Sequence, residues 1–191
     1  MGSALKHTKV TEEVFLEYLA SIEGKAEWLD GEIFDMAAGS ASHSTICGNI
    51  ASEMRTVLKG KACMSHPGEL LYRIPSDRSL CIPDASVICG PPEYEPPKEN
   101  IARNPTVIVE VLSDETESYC RGGKFKKYRS IPTLLEYVLI DQHKYEVEVR
   151  FRHPSGLWDI QTFDELTQHV SLQSLGVTIP MAEIYYGIVF E

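Results

Sequence analysis

The chain has 191 residues, 43% hydrophobic and 24% charged, a balance that suits a globular protein with a sizeable core. Its net charge of −10 at pH 7 argues against a surface coated in basic residues for non-specific nucleic-acid binding, and fits a site that gathers carboxylates around a cation. No apolar run reaches the length of a membrane span and the N-terminal stretch has no apolar signal segment, so a cytoplasmic protein without membrane association is expected.

The first predicted element is a helix over Thr11 to Ile22, "TEEVFLEYLASI". Thr11 can cap it, Glu12 and Glu13 suit its positive end, and Val14, Leu16, Tyr18 and Leu19 give it an apolar side. In "AEWLDGEIFDM", Asp30-Gly31 between two alternating runs signals a two-residue β-hairpin. Ser42 to Lys59 reads as a second helix, with Ile46, Ile50, Met54, Val57 and Leu58 at helical spacing and His43 in its first turn.

Strands are expected at Glu69 to Ile74, Leu80 to Ile88 and Thr106 to Leu112, with an exposed Pro-rich loop, "GPPEYEPPKENIARNP", between the last two. A short basic helix follows over Cys120 to Ser130. "LLEYVLID", "YEVEVRF" and "LWDIQTF" read as strands, and "VSLQSLGVTIPMAEIY" as a strand or two and a turn of helix. There is no internal repeat or linker, so one α+β domain over 1–191 is expected. Cys47, Cys63, Cys81, Cys89 and Cys120 are scattered with no CxxC pair. They read as reduced and mostly buried thiols, with neither a zinc site nor a disulfide framework.

The strand "TVIVEVLS" is apolar on both faces except for Glu110. Desolvating an ionised carboxylate costs several kcal/mol or more unless it is paired or bound to metal. Asp84 interrupts another mostly apolar strand, "CIPDASVIC", directly after Pro83. If the two strands pair, both carboxylates converge on one point and can hold a divalent cation such as Mg²⁺. The plainer alternative pairs each acid with an arginine, Arg73 or Arg121, or places it at a wet strand end. In "RGGKFKKYRS", helical geometry puts Arg121, Phe125 and Tyr128 on an inward stripe with Lys124 at its edge. Lys126 points nearly opposite and Lys127 lies well off the stripe, so Lys124 is the one of the three able to reach inward. A surface lysine laying its methylenes over the core edge is the alternative for Lys124. Gly122 and Gly123 either permit close approach to the Glu110 strand or mark a late helix start.

The segments "EWLDGEI", "GSASHSTICGNI", "IPDASVI", "PTVIVEVLSDET", "RGGKFKKYRSIPTLLEYVLID" and "LGVTIPMAEIY" together resemble the Uma2 family of endonucleases in the PD-(D/E)XK nuclease superfamily. The resemblance runs from about Glu27 to Tyr185. It implies an α/β/α restriction-endonuclease-like core, a mixed central sheet flanked by helices, with the N-terminal helix and hairpin added. The superfamily pattern asks for a proline-aspartate, then an acid, a spacer and a lysine. Pro83-Asp84 and Glu110 match, but Leu112 stands where the lysine belongs. Lys124 matches the position to which the lysine has migrated in the Uma2 family.

The mechanism implied by the resemblance has Asp84, Glu110 and the carbonyl of Val111 holding Mg²⁺ or Mn²⁺. The metal polarises the scissile phosphate and acidifies a water, and Lys124 positions that water and offsets charge. His43, Glu27 and Glu32 match family positions as supporting residues, alongside Tyr128. Glu27 and Glu32 share one hairpin face, which a solvated hairpin also explains. His43 either meets phosphate or a carboxylate, or simply caps and packs. The expectation is a metal-dependent endonuclease acting on DNA, as a homodimer. Two alternatives stand beside it. One is a catalytically inactive nuclease-like module for binding or dimerisation, with Lys124, Lys126, Lys127 and Arg129 as an exposed basic group. The other is hydrolysis of some other phosphoester.

Overall fold

The computed structural model describes residues 9–96 and 98–190, with only the backbone at Lys98 and Glu99. The N-terminal residues 1–8, part of the stretch read for an export signal, lie outside the described residues. No helix among the described residues is long and apolar enough to cross a membrane.

Helix α1 (Glu12–Ser21) starts at Thr11, whose side chain accepts the Val14 N–H. Strands β1 (Ala26–Leu29) and β2 (Glu32–Asp35) form the hairpin. Asp30 and Gly31 both take positive φ, 53° and 91°, as the two-residue turn that matches strand twist requires. Helix α2 (Ala41–Val57) is capped by Ser40, which accepts the His43 N–H. The chain then forms β3 (Cys63–Pro67), β4 (Leu71–Arg73), β5 (Leu80–Cys81), β6 (Ala85–Cys89), β7 (Tyr94–Glu95), β8 (Lys98–Ala102) and β9 (Val107–Leu112). A composite helix follows: α3 (Glu117–Tyr119), a π-helical turn (Cys120–Lys124) and α4 (Phe125–Tyr128). Strands β10 (Glu136–Asp141), β11 (Val147–Arg152), β12 (Trp158–Phe163), β13 (His169–Leu172) and β14 (Val177–Pro180) lead to α5 (Met181–Ile184).

The α+β expectation holds, with more sheet than foreseen. The central sheet has the order β12-β11-β10-β9-β6-β3, and a second six-stranded sheet runs β2-β1-β5-β4-β8-β7. Both are mixed: β9 and β10 are parallel in the first, β4 and β8 in the second. The Pro-rich segment is not a plain exposed loop. Its β7 and β8 extend the second sheet, and Ile101 and Ala102 are buried.

Both faces of the central sheet are covered, which is why β9 reads as nearly continuous apolar sequence. Val107, Val109 and Val111 pack toward Ile46, Ile50 and Met54 of α2. Ile108 and Leu112 face the other way, toward the second sheet and the composite helix. Burial stabilises each such side chain by roughly 1.5–3 kcal/mol. Alternation puts Glu110 on that second side with Leu112.

The expectation of five free thiols is corrected. Cys63 and Cys89 lie opposite each other in the β3–β6 register and are disulfide-bonded. The sequence pattern concealed this because β3 is a half-exposed edge strand with no clear alternation. Cys81 and Cys120 are buried free thiols and Cys47 is half-buried.

Candidate active site

Strands β6 and β9 pair antiparallel with Ala85 opposite Val109. One further step of that register brings Asp84 across from Glu110. Pro83, which has no N–H for a ladder, precedes Asp84 where the strand ends. The Asp84 Oδ2 accepts the Val111 N–H at 2.7 Å, so the aspartate is fixed to the neighbouring strand by a charge-assisted hydrogen bond.

Lys124 closes the site from the composite helix. It is buried, and its Nζ lies 2.9 and 3.1 Å from the two Glu110 carboxylate oxygens. It also lies 3.0 Å from Glu27 Oε1. Lys124 thus points inward, the direction expected for it and not for Lys126 or Lys127. It is the last residue of the π turn, whose i→i+5 bonding departs from the 100° spacing of an α-helix. The alternative pairings of the acids are taken elsewhere: Arg73 binds Glu12 and Glu95, and Arg121 binds Glu117, Glu146 and Glu148. Gly123 serves close approach, though not to the Glu110 strand. A Cβ there would lie 2.5 Å from two ring carbons of Tyr119.

Glu27 is the second carboxylate on the lysine and is itself buried. Its Oε1 accepts the Ile82 N–H at 2.8 Å, so the hairpin is stitched to the strand end that carries Pro83 and Asp84. His43, in the first turn of α2, has Nε2 3.6 Å from Asp84 Oδ2 and Nδ1 3.5 Å from Cys47 Sγ. One cavity of about 680 Å³ is lined by Glu27, His43, Asp84, Glu110, Val111 and Lys124. Phe34, Met36 and Tyr119 add apolar walls, and Asp35, Asp114 and Glu115 an acidic rim.

The electrostatics are unbalanced. Burial pushes the Glu110 carboxyl up, with Asp84 and Glu27 adding to the rise and Lys124 pulling against it. Burial alone would lower Lys124, but Glu110 and Glu27 outweigh it and hold the ammonium firmly protonated. The hydrogen bond to Asp84 raises His43 against its partial burial. Two carboxyl groups, Glu110 and Glu27, therefore share the Lys124 ammonium, with Asp84 lining the same cavity.

Two predicted residues stand apart. Glu32 shares the face of Glu27 by register but lies by the hairpin turn, and it does not line the cavity. Tyr128 is fully buried against Tyr137, with no hydrogen-bond partner for its hydroxyl among the described residues. The supposed basic face is also corrected. Lys124 is interior, and Lys127 is held by Asp30 and Asp77. Cys47 was missed, although its place four residues after His43 on a helix was a legible signal.

A family model described as "Putative restriction endonuclease" matches residues 13–182. The chain belongs to the Uma2 family. The uncharacterized protein slr1290 of Synechocystis sp. (strain ATCC 27184 / PCC 6803 / Kazusa) is 30% identical over 182 residues, covering 95% of this chain and 94% of that one. The uncharacterized protein sll1609 of the same organism is 32% identical over 124 residues, covering 65% of this chain and 70% of its own. The fold is shared with the crystal structure of a protein from Anabaena variabilis ATCC 29413, titled a putative nuclease belonging to DUF820. That match has a TM-score of 0.73 at 21% identity and covers 92% of this chain and 97% of the other.

Proposed function

We propose that this Uma2 protein is a metal-dependent endonuclease that hydrolyses DNA phosphodiester bonds at the Asp84–Glu110–Lys124 cluster. One observation carries the reading: two carboxylates on paired strands and a buried ammonium, 2.9 Å from one of them, line a single cavity. Membership of a family described as a restriction endonuclease supports it.

The donor set fits the implied ion. Asp84, Glu110 and the Val111 carbonyl offer only oxygen, the preference of Mg²⁺ and Mn²⁺, and a cation there would favour the ionised form that burial disfavours at Glu110. Asp84, Glu110 and Val111 would hold it, and it would supply Lewis acidity at the phosphate. The chain's own groups divide the remaining work. Lys124, held protonated, is a hydrogen-bond donor rather than a base. Its Nζ orients the attacking water and offsets charge developing on phosphate oxygen. Glu27, 3.0 Å from the same Nζ, would keep that ammonium in place with Glu110 holding the ion. His43 holds Asp84 and offers a second donor to phosphate. Cutting both strands of a duplex needs two such sites, so a homodimer belongs to the proposal.

Titration calorimetry with Mn²⁺ tests the ion site. The wild type should bind, and the double variant Asp84→Ala, Glu110→Ala should not. Equal binding by both would remove the site. Cleavage of plasmid and single-stranded DNA in Mn²⁺ should disappear in Lys124→Ala. Folded protein that cleaves neither substrate in Mn²⁺ would favour the inactive-module reading, which is motivated by the net charge of −10 and by the lack of an evident DNA-reading element in the sequence.

A further inference from the structure

The Asp84 carboxylate has a second set of neighbours. On the side away from Glu110, His43 and Cys47 sit one turn apart on α2, and the ring of His43 lies between the thiol and Asp84. One ligand atom from each of His43, Cys47 and Asp84 falls within 4.8 Å of the others. Tetrahedral zinc, with metal–ligand bonds of about 2.0–2.3 Å, spaces its ligands roughly 3.3–3.6 Å apart. A pivot of the imidazole and a closure of about 1 Å therefore satisfy that geometry.

A neighbouring opening reaches the thiol, sharing His43, Asp84 and residues 36–39 with the first cavity. This second cavity of about 600 Å³ is lined by His43, Cys47, Asp84, Pro83 and Gly68. Glu110, Val111 and Lys124 line only the first cavity. An ion can thus reach the thiol without entering the cleft that faces the proposed substrate.

We propose that His43, Cys47 and Asp84 form a second metal site for a thiophilic ion such as Zn²⁺, and that an ion there withdraws Asp84 from its pair with Glu110. The ligand chemistry separates it from the neighbouring oxygen site. One imidazole, one thiolate and one carboxylate leave a fourth position open, a set that favours zinc over magnesium. On binding, the Cys47 thiol releases its proton to solvent as the S–metal bond forms, and no oxidant or reductant is involved. The site itself stands on its own geometry. Its consequence, inhibition of cleavage by zinc, rests on the nuclease reading.

Co²⁺ alone is the probe, since it replaces zinc and gives a near-ultraviolet thiolate charge-transfer band. Wild type should develop that band and lose it when Zn²⁺ is added. Cys47→Ser and His43→Ala should each abolish the band or weaken Co²⁺ binding by more than the roughly 10- to 100-fold that loss of a second-sphere partner costs. Cys120→Ser and Glu110→Gln should keep it. Circular dichroism on each variant establishes that it is folded, and Cys47→Ala replaces Cys47→Ser if the latter is not. No band in wild type, a band undiminished without Cys47, or a band lost in Cys120→Ser each overturns the site. In a second arm, Zn²⁺ should slow Mn²⁺-dependent plasmid cleavage by wild type and lose its effect in Cys47→Ser. A cobalt band without cleavage under any condition removes the nuclease reading and leaves the zinc site standing. Cleavage indifferent to zinc despite the band removes the inhibitory role.

Discussion

Two buried charge clusters in this protein are built on opposite terms. Around Arg73, one guanidinium meets Glu12 and Glu95 through paired hydrogen bonds of 2.5 to 3.0 Å. Around Lys124, one ammonium faces Glu110 and Glu27 with Asp84 close by. Arg73 holds the Glu95 carboxyl below its ordinary value, whereas burial pushes Glu110 above it. In the first cluster a planar fork that suits carboxylates stays fixed, and Arg78, 3.5 Å from Glu12, supplies a second positive charge. The second is left short of positive charge beside a cavity, with a point charge on a flexible stem. The second cluster is the one proposed above to take a cation.

The largest way to break this contrast is Lys124→Met. It strips the only permanent cation from two buried carboxylates, so a loss of about 3–5 kcal/mol in urea unfolding is expected. Mn²⁺ should restore a larger share of stability there than it adds to wild type. Arg73→Met should cost less, about 1–2 kcal/mol, because its partners are partly wet. Its response to Mn²⁺ should match wild type. A variant of Arg73 rescued by Mn²⁺ would erase the distinction.

The pH dependence sharpens it further. Glu110 is raised from an ordinary value of 4.5, so the native state holds the proton longer than the unfolded chain. Stability should fall as pH rises from about that value through the raised folded one. Glu95 is lowered from the same 4.5, and its contribution is lost only as pH falls through the lowered value. Glu110→Gln should flatten the first slope and Arg73→Met the second, read from melting temperatures between pH 3 and pH 9. Mn²⁺ should raise the melting temperature of wild type more at the alkaline end. The smallest effect belongs to Gly123→Ala, where Tyr119 must move aside for a cost of about 1 kcal/mol. Its main signature should be an altered KM for DNA.

Asp84 and Glu110 were legible because each is a carboxylate inside an apolar run, and such runs are expensive places for charge. The helix, the hairpin and the central strands were legible from their periods and from Asp30-Gly31. Other features were hidden for identifiable reasons. Glu27 looks like an ordinary hairpin acid, and only its hydrogen bond to Ile82 reveals that it points inward. The π turn itself was not legible, although the inward reach of Lys124 was, from its place beside the Arg121–Tyr128 stripe. The second sheet depends on β7 and β8 inside a Pro-rich segment, where propensity argues for loop and long-range pairing prevails. The Cys63–Cys89 bond depends on a register that composition does not encode.

The stitching of Glu27 to Ile82 and of Lys124 to the same residue has a kinetic side. These contacts join residues 55 and 42 positions apart along the chain. Loops of that length must close before the contacts form, so late assembly of the cluster in folding is the expected outcome. A cation seated there would bind the finished fold and not the transition state leading to it. Mn²⁺ should therefore slow unfolding and leave the refolding rate nearly unchanged. In the cell such an ion would act as a latch on the lifetime of the folded chain.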